Sequence, residues 1–92
     1  DPKKIGYSTT GILMVKINPD FFDSAARQIS GLSEIHHVFQ NTGEYDIVAV
    51  VQAHDLEHLS DLRNRVELIH GVKDVSLSAT TRLIKIKTNF DL

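Results

Sequence analysis

The chain has no cysteine, and this absence removes several kinds of chemistry. Disulfide bonds, thiolate catalysis and cysteine-held zinc or iron–sulfur centres are all excluded. A reducing cytoplasm is therefore the expected compartment. The chain also lacks any apolar run near the roughly 20 residues that a membrane-spanning helix needs. Its longest apolar runs, 11–15 and 47–51, have the length of strands. We expect a soluble protein that does not insert into a membrane.

An excess of positive charge is also missing. Ten Lys and Arg residues stand against twelve Asp and Glu residues, which gives a formal net charge of −2. Proteins that bind nucleic acid draw much of their affinity from clustered cations that neutralise phosphates. The chain by itself is therefore not expected to bind DNA.

The composition is that of one ordinary folded domain. The 92 residues are too few to form two cores, and the apolar fraction of 41% and charged fraction of 24% are near those of soluble proteins. One domain is therefore predicted, without long linkers between its elements.

The first half of the chain predicts a strand, a short helix and a hairpin. The β-prone residues 11–17 end at Asn18, which can cap a helix whose first residue is Pro19. Gly31 is placed to end that helix. The apolar residues of the helix recur at helical spacing and are Phe22, Ala25, Ala26 and Ile29.

Two further strands are predicted next. Residues 34–42 are β-tolerant, and a turn at 42–44 leads into the apolar strand 45–53. The two strands should therefore form a β-hairpin.

The second half completes the order βαββαβ. Asp55 can cap a second helix that ends at Gly71, and the β-prone residues 72–87 follow as the last strand. The apolar stripe of this helix consists of Leu56, Leu59, Leu62, Val66 and Ile69. We predict an α+β, ferredoxin-like fold, in which two helices cover one face of a four-stranded antiparallel sheet.

Both faces of the predicted sheet carry aliphatic residues. Side chains alternate along a strand, so Ile12 and Met14 lie opposite to their aliphatic neighbours in the first strand. Val48 and Val50 do the same in the third strand. Because the helices cover only one face, we expect two copies to associate sheet to sheet as a dimeric α+β barrel. The alternative is that further chain covers the second face.

The five histidines raise the question of a metal site. His54 and His58 are four residues apart, a spacing that can place two imidazoles on one helix face, but the sequence indicates no third ligand. His36 and His37 are adjacent in a predicted strand, so we expect them on opposite faces and unable to form one site. No metal site is predicted.

No enzyme motif is visible either. No serine lies in a Gly-x-Ser-x-Gly turn, and no glycine-rich loop has the pattern of a phosphate-binding site. The fold is shared with RNA-recognition modules, but their stacking aromatics are absent, with only Phe39 and Tyr45 nearby. We therefore predict no catalytic residue and no cofactor.

Two short polar segments remain as candidates for a ligand site. Residues 41–46 offer loop amides, an aromatic ring and a carboxylate, and residues 78–81 offer hydroxyl groups. Such groups suit a small zwitterion. An equally good interpretation is a hairpin turn in which Asp46 only accepts hydrogen bonds from neighbouring backbone amides.

The order of these segments resembles the effector domain of the leucine-responsive and asparagine regulator (Lrp/AsnC) family. The pattern is Gly-x-Tyr-Asp before an apolar strand, then a helix, then Gly-Val opening the last strand. The residues that carry it are Thr42-Gly43-Glu44-Tyr45-Asp46, Asp55-Leu56, His70-Gly71-Val72 and Ile84-Lys85. The opening Asp1-Pro2-Lys3-Lys4-Ile5-Gly6-Tyr7 is similar to the segment that joins the family's DNA-binding helix-turn-helix to this domain.

The resemblance implies a RAM domain that dimerises through its sheet, forms an octamer or another higher assembly of dimers, and senses an amino acid. Residues 1–10 would then be a joining segment and residues 11–92 the effector-binding and oligomerisation domain, with DNA contacted only through a separate N-terminal domain. The resemblance implies that the effector lies where dimers meet. The implied ligand-binding residues are Gly43, Tyr45, Asp46, Ser78, Ala79 and Thr80, and the dimer interface would contain Ile12, Met14, Val48 and Val50.

Two alternatives stay open. A small dimeric α+β barrel enzyme, such as a monooxygenase or isomerase, would have a similar fold but would need an enclosed pocket between sheet and helices that contains a titratable residue. A stand-alone RAM module without DNA binding is the other. The retained joining segment favours a trimmed regulator.

Overall fold

Residues 9–88 of the computed structural model are described here, and they form a four-stranded antiparallel sheet with two α-helices. The elements are β1 (Thr9–Ile17), α1 (Phe22–Ser30), β2 (Ile35–Gln40), β3 (Ile47–Ala53), α2 (Leu56–Glu67) and β4 (Val72–Ala79). The strand order is β2-β3-β1-β4, which places β1 and β3 in the centre. The predicted ferredoxin-like βαββαβ fold is confirmed. Most of the predicted joining segment, residues 1–8, lies outside the described range.

Helix α1 begins as the sequence indicates. The Asn18 side-chain Oδ1 accepts a hydrogen bond from the backbone N–H of Asp20 at 2.9 Å. Pro19 opens a single 3-10 turn that leads directly into the α-helix. Gly31 follows the last helical residue, but its φ of −83° is one that any residue adopts.

Helix α2 has the predicted cap and an earlier end. Asp55 Oδ1 accepts a hydrogen bond from the backbone N–H of His58 at 2.8 Å. The helix ends at Glu67, and a short turn separates it from Gly71, whose φ of +94° redirects the chain into β4. The stripe residues Leu59, Leu62 and Val66 are fully covered by the sheet, as predicted, whereas Leu56 is exposed.

The β2–β3 hairpin turns at the predicted glycine. Gly43 has a φ of +104°, which a side chain rarely adopts, and a Cβ built there would meet no atom within 4 Å. The two strands are shorter than predicted, since β2 ends at Gln40 and β3 begins at Ile47. The backbone N–H of Asn41 donates to the Asp46 carbonyl at 2.9 Å and closes the connection.

The prediction of a long last strand was wrong. β4 ends at Ala79, which pairs with Gly11, and the backbone N–H of Thr80 donates to the Thr10 carbonyl at 2.7 Å. β1 begins at Thr9, and residues 9–88 contain no strand that pairs with residues 81–88. Those residues are exposed, including the apolar Leu83, Ile84 and Ile86.

The core lies between the sheet and the helices. Aliphatic side chains from β1, β3 and β4 interdigitate with those of α1 and α2 and are almost completely buried. The buried set is Leu13, Val15, Ile17, Ala25, Ile29, Ile47, Ala49, Val51, Ala53, Leu59, Leu62, Val66 and Val75. The predicted alternation is confirmed, because these β1 and β3 residues occupy one face and the intervening residues the other. Neither helix in the described range is long and apolar enough to cross a membrane.

Candidate functional site

The face of the sheet opposite the helices carries a group of adjacent aliphatic side chains, which we call the outer patch: Ile12, Met14, Val48 and Val50. The register places Ile12 opposite Val50 and Met14 opposite Val48. All four are only half-buried, because both helices pack on the other face. The outer patch therefore forms one continuous apolar area across the two central strands.

Different residues border the outer patch on its two sides. On the β4 side, Ser78 lies opposite Ile12 and Ser76 lies opposite Met14. On the β2 side, Phe39 lies opposite Val48 and is half exposed, at 51%. The patch thus continues onto an exposed aromatic ring at one edge and ends on hydroxyl groups at the other.

Asp46 is attached to the end of β1 by two hydrogen bonds. Its Oδ2 atom accepts from the Ile17 backbone N–H at 2.8 Å, and its own backbone N–H donates to the Val15 carbonyl at 2.9 Å. This is the local structural role that the sequence left open for Asp46. The carboxylate has about four acceptor positions in total, so the bond to Ile17 leaves it capacity for other donors.

Tyr45, next to Asp46, faces the beginning of β4. Partial burial, together with the carboxylates of Asp74 and Glu44, raises the pKa of the Tyr45 hydroxyl above its ordinary value. In the register of the two strands, Asp74 of β4 lies opposite Lys16, near the end of β1. Tyr45 and Asp46 therefore lie near the end of β1 and the start of β4.

Ser78, Ala79 and Thr80 lie at the opposite end of the sheet. Ala79 pairs with Gly11, whereas Val15 pairs with Ile47 just after the hairpin. Gly11 and Val15 are four positions apart along an extended strand, which corresponds to about 13 Å. Within one chain, the structure therefore does not bring the two groups of predicted ligand-binding residues together.

Glu34, His58 and Arg65 form a buried charge network that the sequence did not predict. Glu34, between α1 and β2, is only 6% exposed, and its Oε2 atom contacts Arg65 and lies 2.8 Å from His58 Nε2. Burial raises the pKa of this carboxyl group, but the hydrogen bonds from Arg65 and His58 outweigh burial and lower the pKa to about 2. His58 and Arg65 are seven residues apart on one face of α2, and that spacing was the available sequence signal.

Both ring nitrogens of His58 are engaged. The Nδ1 atom accepts a hydrogen bond from the His54 backbone N–H at 3.0 Å, and Nε2 faces Glu34. The tautomer that carries its proton on Nε2 satisfies both contacts. His58 therefore links the start of α2 to Glu34 and has no free nitrogen for a metal ion.

The prediction that His36 and His37 lie on opposite faces was wrong. The register between β2 and β3 shifts between Ile35 and His37, so the strand contains a β-bulge. The extra residue cancels the alternation, and the two rings lie side by side with centroids 4.4 Å apart. Their Nδ1 atoms are 2.6 Å from each other. Within residues 9–88, no cluster of three or more metal-ligating side chains is present.

An open groove lies between α2 and β4. It has a volume of about 210 Å³ and is lined by Leu56, Leu59, Ser60, Arg63, Leu77 and Ala79. Arg63, its charged residue, contacts Glu67 at 2.6 Å and donates to the Val75 carbonyl at 3.3 Å. The groove contains one of the predicted ligand-binding residues, Ala79, and lies outside the packed interior.

Comparison with known proteins confirms the family resemblance. A sequence model of the Lrp/AsnC ligand binding domain matches residues 10–90. The transcriptional regulator Ptr1 of Methanocaldococcus jannaschii is 34% identical over 86 residues, which are 92% of this chain and 58% of that protein. The regulator FL11 of Pyrococcus horikoshii is 28% identical over 89 residues, or 97% of this chain and 56% of that protein.

Solved structures share the fold. The transcriptional regulator NMB0573 of Neisseria meningitidis, determined as a complex with L-Met, superimposes with a TM-score of 0.85 at 22% identity, covering 99% of this chain and 61% of that one. The chain thus spans little more than half the length of the curated relatives it matches. With a family model that extends over residues 10–90 and a relative above 30% identity, the chain belongs to the Lrp/AsnC family and contains its ligand-binding domain.

Proposed function

We propose that this chain is the amino-acid-sensing and assembly domain of a transcription regulator of the Lrp/AsnC type. Its relatives Ptr1 and FL11 are named as helix-turn-helix transcriptional regulators, and the structural neighbour NMB0573 was solved with L-Met. In this proposal residues 1–10 join the domain to a DNA-binding domain, and residues 11–92 carry the effector and assembly functions.

The observation that carries the proposal is the uncovered outer patch. A contiguous apolar area on a sheet face is uncommon on a monomeric protein and is typical of an interaction surface. A second copy of the same face is self-complementary under twofold symmetry, so the two sheets pack as a dimeric α+β barrel. Higher assemblies, such as an octamer, then arise from contacts between dimers.

The separation of the two polar groups supports an effector site that is shared between chains. Since the hairpin residues and Ser78, Ala79 and Thr80 lie at opposite ends of one sheet, a site that uses both must combine two chains. In such a site the Asp46 carboxylate pairs with the α-ammonium group of an amino acid. Backbone amides near Gly43 and the Thr80 hydroxyl hold the α-carboxylate, and Tyr45 forms a wall for the side chain.

The packed interior favours a sensor over the dimeric barrel enzyme. The enzyme alternative needs an enclosed pocket between sheet and helices with a titratable residue, but aliphatic side chains fill that space. Glu34, the buried carboxylate of the described range, is held by Arg65 and His58. The net charge of −2 supports DNA binding through another domain, because phosphate contacts need clustered cations.

Three measurements on the chain test this function. Light scattering at micromolar concentration should give the mass of a dimer or a multiple of it. Calorimetric titration with each of the twenty amino acids should identify at least one that binds, and titration with duplex DNA at moderate salt should give no tight binding. A monomeric mass would remove the assembly role, and the failure of every amino acid to bind would remove the sensing role. A stand-alone RAM module would give the same results, but its parent reading frame would contain no helix-turn-helix.

A further inference from the structure

The bulge in β2 creates an arrangement of two histidines that a regular strand does not allow. His37 pairs with Val50, and the extra residue His36 is displaced toward the same side. Both side chains are exposed, and the His37 ring is also parallel to Phe39, with centroids 6.1 Å apart and an interplanar angle of 10°. The pair is therefore supported by strand pairing on one side and by an aromatic ring on the other.

The contact between the two rings has a specific chemical meaning. A distance of 2.6 Å between the Nδ1 atoms allows one of them to carry a proton and the other to accept it through its lone pair. Two lone-pair nitrogens thus converge on one proton at an accessible position. A metal ion can take the place of that proton if the two nitrogens separate slightly and the proton moves to the Nε2 atom of the same ring.

We propose that His36 and His37 bind one divalent transition-metal ion through their two Nδ1 atoms. Metal–imidazole bonds of about 2.0–2.1 Å place two ligand nitrogens on one ion about 2.9–3.4 Å apart. Small rotations of two exposed side chains achieve that separation without any change in the backbone. Water completes the coordination shell, and imidazole ligands select ions such as Cu²⁺, Ni²⁺ and Zn²⁺ over Mg²⁺ and Ca²⁺.

The structure favours this pair over the other pair of neighbouring histidines. The rings of His54, just before α2, and His58, on α2, stack with centroids 4.9 Å apart, but His58 uses Nδ1 for a backbone amide and Nε2 for Glu34. A metal ion there would have to displace a buried contact. At His36 and His37 it displaces only a shared proton. Both ligands belong to one chain, so no second chain has to supply a ligand. His37 lies opposite Val50 on the face of the outer patch, so the site borders the proposed dimer interface.

Calorimetric titration of the chain with CuCl₂, NiCl₂ and ZnCl₂, in a buffer that does not chelate metals, tests the proposal. We expect one ion per chain, with Cu²⁺ bound most tightly in line with the general order of divalent affinities. The variants His36→Gln and His37→Gln should each lower the affinity by about tenfold or more, since loss of a second-shell partner alone costs about 10- to 100-fold. Electron paramagnetic resonance of the Cu²⁺ adduct should show coupling to two imidazole nitrogens.

The matched control is His70→Gln, which removes an exposed imidazole that packs on Phe21, far along the chain from the bulge. It should bind metal as the parent chain does, and circular dichroism should show all three variants folded. If His36→Gln and His37→Gln bind as tightly as the parent, the ion lies elsewhere, for example at the amino terminus, and the proposal is wrong. The same conclusion follows if His70→Gln or His54→Gln causes the loss instead. If one of the bulge variants unfolds, the Cu²⁺ adduct of the parent still tests the proposal. Coupling to fewer than two imidazole nitrogens would contradict it.

Discussion

The carboxylate of Asp46 accepts a hydrogen bond from the backbone N–H of Ile17 at 2.8 Å. This bond attaches the hairpin that precedes β3 to the last residue of β1, and a backbone bond from Asp46 to Val15 reinforces it. Asp46 thus has a structural role in the isolated chain, in addition to the ligand role proposed for it. Variants that remove the charge and keep the acceptor can separate the two roles.

Asp46→Asn and Asp46→Ala form that pair. The amide oxygen of asparagine can still accept from Ile17, so Asp46→Asn should fold normally while its affinity for an amino acid falls by about ten- to a hundredfold, the effect of losing roughly 1.5–3 kcal/mol of charge-assisted bonding. Asp46→Ala should in addition lower the free energy of unfolding by about 1–2 kcal/mol. Calorimetry and urea denaturation measure the two quantities. If Asp46→Asn binds an amino acid as tightly as the parent, the Asp46 carboxylate has no ligand role and only holds Ile17.

The outer patch predicts a charge-sensitive dimer. Val48→Asp places a carboxylate in the middle of the apolar area, opposite Met14, and burying it in an interface without a partner costs several kcal/mol. Light scattering should therefore show a monomer at concentrations where the parent is a dimer. Asn64→Asp adds the same charge at an exposed position on α2 and should leave the mass unchanged. Equal masses for Val48→Asp and the parent would mean that the sheet face is not the interface.

The Glu34 network predicts a pH-dependent contribution to stability. The pKa of Glu34 is about 2 in the folded chain and about 4.5 as an ordinary carboxyl group. The folded value is the lower one, so the stabilisation is complete above about pH 4.5 and is lost as the pH falls toward 2. Because Arg65 is partly exposed and solvent screens it, we expect about 1–3 kcal/mol.

Glu34→Gln tests this prediction by urea denaturation at several pH values. The variant should be less stable than the parent at pH 7, and the difference should shrink as the pH approaches 2. Glu67→Gln is the control, because Glu67 pairs with Arg63 on the exposed surface, where such pairs contribute about 0.3–0.5 kcal/mol. A difference for Glu34→Gln that stays constant with pH would show that the charge of Glu34 does not contribute.

Two glycine substitutions test the positive φ of Gly43. Gly43 has a φ of +104° and open space around it, so Gly43→Ala should cost about 1 kcal/mol from the backbone alone. Gly31 has a φ of −83°, and a Cβ there would meet its neighbours only at 3.5 Å or more. Gly31→Ala should therefore be neutral or stabilise by up to about 1 kcal/mol. Thermal unfolding of the two variants measures both effects, and a neutral Gly43→Ala would contradict the required positive φ.

Features that depend on residues close together in the chain could be predicted from the sequence, whereas features that depend on distant residues could not. The caps at Asn18 and Asp55 were predicted correctly because each needs only a side-chain oxygen and backbone amides two or three residues away. The end of β4 was predicted eight residues too late, because β-propensity continues past Ala79, whereas within residues 9–88 the pairing of β4 with β1 ends there. A strand needs a neighbour, and that neighbour is distant in sequence.

The candidate sites also differ in whether they depend on nearby or on distant residues. The outer patch was predicted residue by residue, because alternation along a strand assigns each side chain to a face. The six ligand residues implied by the family resemblance lie in two groups at opposite ends of the sheet, a separation that only the antiparallel register reveals. Glu34 was missed because its partners His58 and Arg65 follow it by 24 and 31 residues.

The sequence by itself determined the order of the elements, the caps, the Gly43 turn and the apolar character of both sheet faces. Each of these depends on residues close together in the chain, through helical or strand periodicity and short-range hydrogen bonds. The tertiary structure decided where β4 ends, that Asp46 holds Ile17 and that Glu34 is buried with its cationic partner. It also decided that His36 and His37 lie side by side, because strand pairing determines where the bulge forms and a single inserted residue reverses the faces that alternation assigns.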